Sequence, residues 1–157
     1  MCSSDLHWNG HQWKRVPSPN SSGGNGLAAV AAVGRNNVWA VGEHGRPPSD
    51  ACECGGRERL LAEHWNGHRW RTVPADSGDP SSQAQGLTGL AVVAAHNIWA
   101  IGYHGEHQWS AVGLVEHWHG NTWTPVPSLN PGSDSFAGIT AAAPAAVWVV
   151  GADHSAG

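Results

Sequence analysis

Lysine is almost missing from this chain. Lys14 stands alone beside seven scattered arginines, and twelve acidic residues leave a net charge of −4. Without a basic stripe there is nothing to follow a phosphate backbone, so a nucleic-acid partner is not expected. No apolar run approaches the roughly 18 residues of a membrane helix, so no span is expected in this segment. Phe, Tyr and Met occur once each, and cysteine three times, at Cys2, Cys52 and Cys54. Cys52 and Cys54 are too close for an easy mutual bridge, which needs Cα atoms about 4.4–6.8 Å apart. The cysteines therefore make no disulfide framework and say little about redox compartment. A Gly-x-Ser-x-Gly elbow and a phosphate-cradling glycine loop are both lacking, which removes two common catalytic frames.

Tryptophan is what the chain has, with ten copies in 157 residues, nine of them in two repeated phrases. One phrase opens on His-Trp-x-Gly and ends in Val-Pro, at residues 7–17, 64–74 and 117–127. The other is Val38-Trp39-Ala40-Val41-Gly42, Ile98-Trp99-Ala100-Ile101-Gly102 and Val147-Trp148-Val149-Val150-Gly151. Self-similarity at this period is the signature of a repeat architecture. The spacing differs only in Gly/Pro/Ser-rich connections such as 18–26, 75–86 and 128–135, where length is cheap.

The copy from Leu87 to Pro127 shows the unit most clearly. Two short apolar runs, 87–94 and 98–102, flank the polar pair His96-Asn97 and predict a hairpin. The second run is apolar on both pleat faces, so it is expected to be covered on both sides. Residues 111–118 alternate and predict a third strand. His119-Gly120-Asn121 turns the chain, and 122–126 return as a fourth strand. Pro125 and Pro127 suit an outermost edge, where a missing N–H is tolerated.

Four antiparallel strands in about 50 residues describe a β-propeller blade. The expected fold class is therefore all-β, a propeller segment of about three four-stranded blades. Strands three and four of one blade occupy residues 7–17, whole blades 27–74 and 87–127, and strands one and two of another 136–151. Residues 1–6 match none of this. Cys2 to Leu6 is what translation of the sequencing-adapter TGCTCTTCCGATCT produces, so the hexapeptide is expected to be adapter-derived. Both ends fall inside a repeat, with 152–157 read as a truncated end, so the expected parent is a larger protein. The preference for Arg over Lys in an Ala- and Gly-rich chain fits a GC-rich bacterial genome.

The combination Glu-His-Trp-Asn-Gly-x-x-Trp-x-x-Val-Pro with Asn-x-Trp-Ala-Val-Gly resembles a group of bacterial Trp-rich β-propeller repeats, over Leu6 to Gly151. It is more distantly similar to kelch and Asp-box propellers. Gly120-x-Thr122-Trp123 matches the end of an Asp-box, but Glu116 and Trp118 stand where that motif has Ser and Asp. The resemblance implies an extracellular or cell-surface location and no assigned activity.

The nine repeating tryptophans are expected to pack between blades, each supplying a large apolar area with one N–H to satisfy. His64 and His117 precede third-strand tryptophans and so recur for architectural reasons. Glu63 and Glu116 are likewise repeat-equivalent, each expected on its own blade rather than as a catalytic pair. His117 and His119 are close enough to share a face. His44, His104, Asp153, Cys52 and Cys54 could in principle line one mouth, but zinc-finger spacing is lacking. No metal, no cofactor and no catalytic residue is expected.

Loops after the second strand are the best ligand candidates by analogy with propellers, which places Tyr103, His104, Trp109 and His44 at the mouth. The expected function is a non-catalytic binding or interaction scaffold for a carbohydrate or protein ligand, carbohydrate slightly preferred. Two alternatives are open. The chain could be blades of a carbohydrate-active propeller enzyme whose catalytic residues lie on blades outside this sequence. It could instead be a three-blade protomer whose second copy closes a six-blade ring.

Overall fold

The computed structural model describes residues 5–20, 24–45, 57–106, 111–128 and 135–152. They hold twelve strands and no helix, so the all-β expectation stands. The strands are β1 (Leu6–Trp8), β2 (Trp13–Arg15), β3 (Asn25–Gly34), β4 (Asn37–Gly45), β5 (Glu58–Trp65), β6 (Trp70–Val73), β7 (Ala84–Ala94), β8 (Asn97–Gly105), β9 (Val112–Trp118), β10 (Trp123–Pro125), β11 (Ser135–Ala143) and β12 (Ala146–Ala152). They form four antiparallel sheets. Sheet I is β1-β2, sheet II β3-β4-β5-β6, sheet III β7-β8-β9-β10 and sheet IV β11-β12. Every neighbour in a sheet is also the neighbour in sequence, and no described sheet closes on itself.

Sheets II and III agree residue for residue. Val38 lies opposite Trp65 and Trp39 opposite His64, as Ile98 lies opposite Trp118 and Trp99 opposite His117. The first strand of each carries register shifts at equivalent places, Leu27/Ala29 and Leu87/Gly89, and sheet IV has its own at Phe136/Gly138. Strand one starts earlier than its apolar run predicts, at Asn25 and Ala84, because strand two continues past its glycine to Gly45 and Gly105 and offers partners there. Pro125 ends β10, the outer edge of sheet III, where no ladder N–H is required.

The glycine closing each Val-Gly phrase has a packing cause. A Cβ on Gly102 would sit 1.9 Å from the Gly86 carbonyl oxygen, and on Gly42 1.8 Å from that of Gly26. The register shift draws the first strand's backbone over this position, so no side chain fits. We expect Gly102→Ala to lower stability by about 1–3 kcal/mol or more, since the clash is with backbone. Gly34→Ala, where nothing lies within 4 Å, should cost little in the same urea titration. A second glycine role sits in the turns between strands three and four. Gly10, Gly67 and Gly120 hold φ of 96°, 93° and 97°, a region that L side chains rarely adopt.

Strand alternation and the register put Ile98, Ala100, Leu114, Glu116 and Trp118 on one face of sheet III. That face meets Trp39, Val41 and Ala62 of sheet II, and together they form the main core. Trp39 lies 4.7 Å from Trp118 and 5.6 Å from Trp123, ring centre to ring centre, in tilted and edge-on contacts. Such geometry adds roughly 0.5–1.5 kcal/mol per pair beyond area burial. The opposite face of sheet III receives sheet IV, with Phe136 against Gly113 and Ile139 against Gly89.

The expected packing of all nine repeating tryptophans holds only in part. Trp39, Trp118 and Trp123 are buried. Trp65, Trp70 and Trp99 are half-buried. Trp8, Trp13 and Trp148 are 49%, 64% and 66% exposed. The cause is neighbourhood: the buried three lie where two four-stranded sheets meet, while the exposed three lie on the two-stranded sheets at either end.

Candidate functional site

Strands two of sheets II and III end side by side. There the copies differ at a single position, Glu43 in one and Tyr103 in the other, between matched glycines and histidines. Tyr103 lies opposite Gly86 on β7 and Gly113 on β9, so no neighbouring side chain obstructs its ring. A Cβ on Gly86 would come within 2.8 Å of both the Tyr103 ring and the Glu43 carboxylate. Through this gap the phenol donates to Glu43 Oε2 at 2.7 Å, with Glu58 Oε2 at 3.3 Å. Both carboxylates belong to sheet II, so the phenol ties two sheets together.

Burial, then the two carboxylates, raise the Tyr103 pKa far above that of an ordinary phenol. The phenol therefore keeps its proton at every physiological pH and acts as a hydrogen-bond donor, not as a nucleophile. A hydroxyl has one proton to give, and the shorter contact assigns it to Glu43.

His104 follows Tyr103 on β8, with Nδ1 3.5 Å from Asp79 Oδ2. Asp79 is held below the usual carboxylate range, first by the Ser81 hydroxyl and backbone N–H and then by His104. The segment carrying Asp79 is anchored by Ser82, whose buried hydroxyl accepts from Gly105 N at 2.8 Å and lies 2.9 Å from Gly105 O. Across the sheets, Glu58 N donates to Gln83 O at 2.8 Å. His44 lies opposite Asn25 and Arg59. Burial, then the Arg59 charge, lower its pKa, which favours the neutral imidazole.

Of the four sequence-predicted residues, His44, Tyr103 and His104 thus share one end of sheets II and III. Trp109 lies outside the described residues, as do Cys52, Cys54 and Asp153. Sequence reasoning passed over Glu43, Glu58 and Asp79 as partners. One signal was available: Glu43 and Tyr103 hold the same repeat position yet differ, where the surrounding residues match.

The opposite end of the sheets carries the architectural histidines. Asn37 Oδ1 accepts the Trp39 indole N–H at 3.1 Å and also meets His64 Nε2 at 2.9 Å. Asn97 repeats this with Trp99 at 2.9 Å and His117 at 2.8 Å. An indole N–H only donates, so the amide oxygen is the acceptor, and each imidazole carries its proton on Nε2. Burial lowers the pKa of both histidines, consistent with that neutral tautomer. Each ring stacks on its tryptophan, at 4.6 Å for His64 and 4.0 Å for His117. His119 meets His117 edge-on at 4.0 Å. Among the described residues, no group of three or more His, Cys, Asp or Glu gathers as a metal site would require. No described helix is long and apolar enough to cross a membrane.

Glu63 and Glu116 are the remaining unusual groups, 1% and 0% exposed with no hydrogen-bond partner among the described residues. The register places Glu63 beside Ala40 and Glu116 beside Ala100, on the same face of successive sheets. Burial raises their pKa to about 7 and about 8, with Asp5 and Asp76 adding smaller upward pushes. They occupy separate sheets and do not make a catalytic pair. No protein-family model, curated protein or solved structure matches the chain.

Proposed function

We propose that the four sheets are consecutive blades of a β-propeller that serves as a non-catalytic binding scaffold, with a carbohydrate ligand at the end carrying Tyr103. Support for the blades comes from the strand order, the matched registers of sheets II and III, and face-to-face stacking through tryptophan. The single observation that carries the ligand reading is the group of Tyr103, Glu43 and Glu58, which spans two sheets at one end. The Tyr103 oxygen, its proton donated in the hydrogen bond to Glu43, and the carboxylate oxygens are acceptors that suit the donors of sugar hydroxyls. The same protonation argues against a phenolate nucleophile, and so favours binding over catalysis.

Glycan-array profiling of the intact chain tests this reading. We expect a discrete set of bound glycans, with Tyr103→Phe weakening the best of them about fivefold, the worth of a hydrogen bond between neutral groups. A silent array from folded protein would remove the carbohydrate assignment. Equal binding by the Phe variant would move the site away from this end.

A further inference from the structure

Asn-Gly occurs three times in the chain, at residues 9–10, 25–26 and 66–67. A glycine after asparagine leaves the side-chain amide open to the next backbone nitrogen, since no Cβ stands in the way. The three pairs sit in two different settings. Asn9-Gly10 and Asn66-Gly67 form the turns between β1 and β2 and between β5 and β6, whereas Asn25-Gly26 lies inside β3. In sheet III the same turn carries His119-Gly120 instead.

At Asn66 the side chain folds back on its own backbone. His68 N and Arg69 N both donate to Asn66 Oδ1, each at 3.0 Å. Asn66 N donates to Arg69 O at 3.3 Å and closes the turn. A Cβ on Gly67 would lie 2.9 Å from Asn36 Cγ, so the Asn36 side chain backs the glycine. Gly67 N donates to no group among the described residues, and Asn66 is exposed to water. Asn9 repeats the arrangement, accepting from His11 N at 3.0 Å and Gln12 N at 2.9 Å.

These contacts are the ones that attack on Cγ requires. As a nitrogen adds to the amide carbon, negative charge develops on the amide oxygen. Two N–H groups already aimed at that oxygen form an oxyanion hole, in place before the reaction begins. The nucleophile is the next residue of the same chain, so no encounter is needed.

We propose that Asn66 is a site of spontaneous deamidation promoted by the fold, with Asn9 the equivalent site in sheet I and Asn25 protected. Hydroxide takes the Gly67 amide proton, and the nitrogen forms a bond to Asn66 Cγ. The Cγ–Nδ2 bond breaks and ammonia leaves, its extra proton drawn from water. Water then opens the cyclic imide at either of its carbonyls. Opening at Cγ gives aspartate in an unchanged backbone. Opening at the backbone carbonyl gives isoaspartate, with the main chain rerouted through the side-chain carbons.

The two products act differently on sheet II. Aspartate adds a negative charge and keeps the turn, because a carboxylate accepts the same two N–H groups. Isoaspartate lengthens a turn closed by Asn66 N and Arg69 O, and so disturbs the contact of Trp65 with Trp70, 5.9 Å apart across the same hairpin. Asn25 is held against this chemistry. Gly26 lies opposite Glu43 in the β3–β4 ladder, and Asn25 Nδ2 donates to Pro19 O at 2.9 Å. Attack there requires the ladder to open and the leaving amide to give up a hydrogen bond. None of this depends on which ligand Tyr103 serves.

The test is to age the purified full chain at neutral pH and physiological temperature, once folded and once in denaturing urea. Peptide mapping by mass spectrometry follows each Asn-Gly pair, and labelling with an isoaspartyl methyltransferase counts the rerouted product. Asn66 should convert about tenfold faster in the folded chain than in urea, part of the roughly 10²–10³ that one enzymic oxyanion donor supplies. Asn25 should show the reverse, at least about tenfold slower when folded, because opening of the strand precedes attack. Conversion of Asn66 no faster in the folded chain would show that the turn locks the amide instead of activating it, and would overturn the proposal. Equal rates at Asn66 and Asn25 in the folded chain would overturn it too, since the dipeptide alone would then set the rate.

Discussion

Trp39→Ala should lower the unfolding free energy by about 3–5 kcal/mol, the range for removing a buried Trp or Phe from a core. Trp39 is 2% exposed and packs on His64, Trp118 and Trp123, so its removal opens a cavity between two sheets. The loss also strips the Asn37 amide of one partner. The same substitution at Trp148, in the same repeat phrase, should change the folded monomer by no more than about 0.5 kcal/mol, as surface substitutions do. Urea unfolding measures both. Equal losses would mean that the tryptophan's effect is local to its hairpin and that sheet-on-sheet packing is not what it stabilises.

Stability should fall as pH rises from about 5 to 8, opposite to the usual behaviour of carboxylates in proteins. Glu63 and Glu116 hold their protons in the folded chain up to about pH 7 and 8, while the unfolded chain releases them near 4.5. Between those values the native state binds more protons, so the stabilisation is complete below 4.5 and lost as pH climbs through the folded values. Glu116 alone accounts for on the order of 3–5 kcal/mol of that decline.

Glu116→Leu should flatten most of the slope and raise stability at pH 8. An apolar residue of similar size matches the Ala100 and Leu114 surroundings and leaves no buried carboxyl to ionise. Denaturant titrations at pH 5, 7 and 9 read the effect. A flat wild-type profile would show that the carboxyls reach solvent or a cation.

Strand layout was legible because its causes are local. Alternation in 112–118, turn glycines at Gly67 and Gly120 and an edge proline at Pro125 each act within a few residues. The recurrence of His64 and His117 beside tryptophans pointed correctly to architecture, and the indole stacks account for it. His44, Tyr103 and His104 were legible as one end of the sheets because the strand phase places every second-strand terminus there.

Their partners were not legible. Glu43 and Glu58 lie 60 and 45 residues from Tyr103 in sequence, and only the stacking of sheet II on sheet III brings them to its hydroxyl. Nor could the repeat rank its own copies: Val38-Trp39 and Val147-Trp148 read alike, yet one indole is buried and the other is exposed. Glu63 and Glu116 read as ordinary polar strand positions until the neighbouring sheet covers them. Periodicity and turn chemistry belong to the chain itself, so the sequence determined which segments become strands, in what order and with which face turned inward. Burial, protonation and the meeting of distant side chains depend on what lies across from each face, and the tertiary stacking of the sheets decided all three.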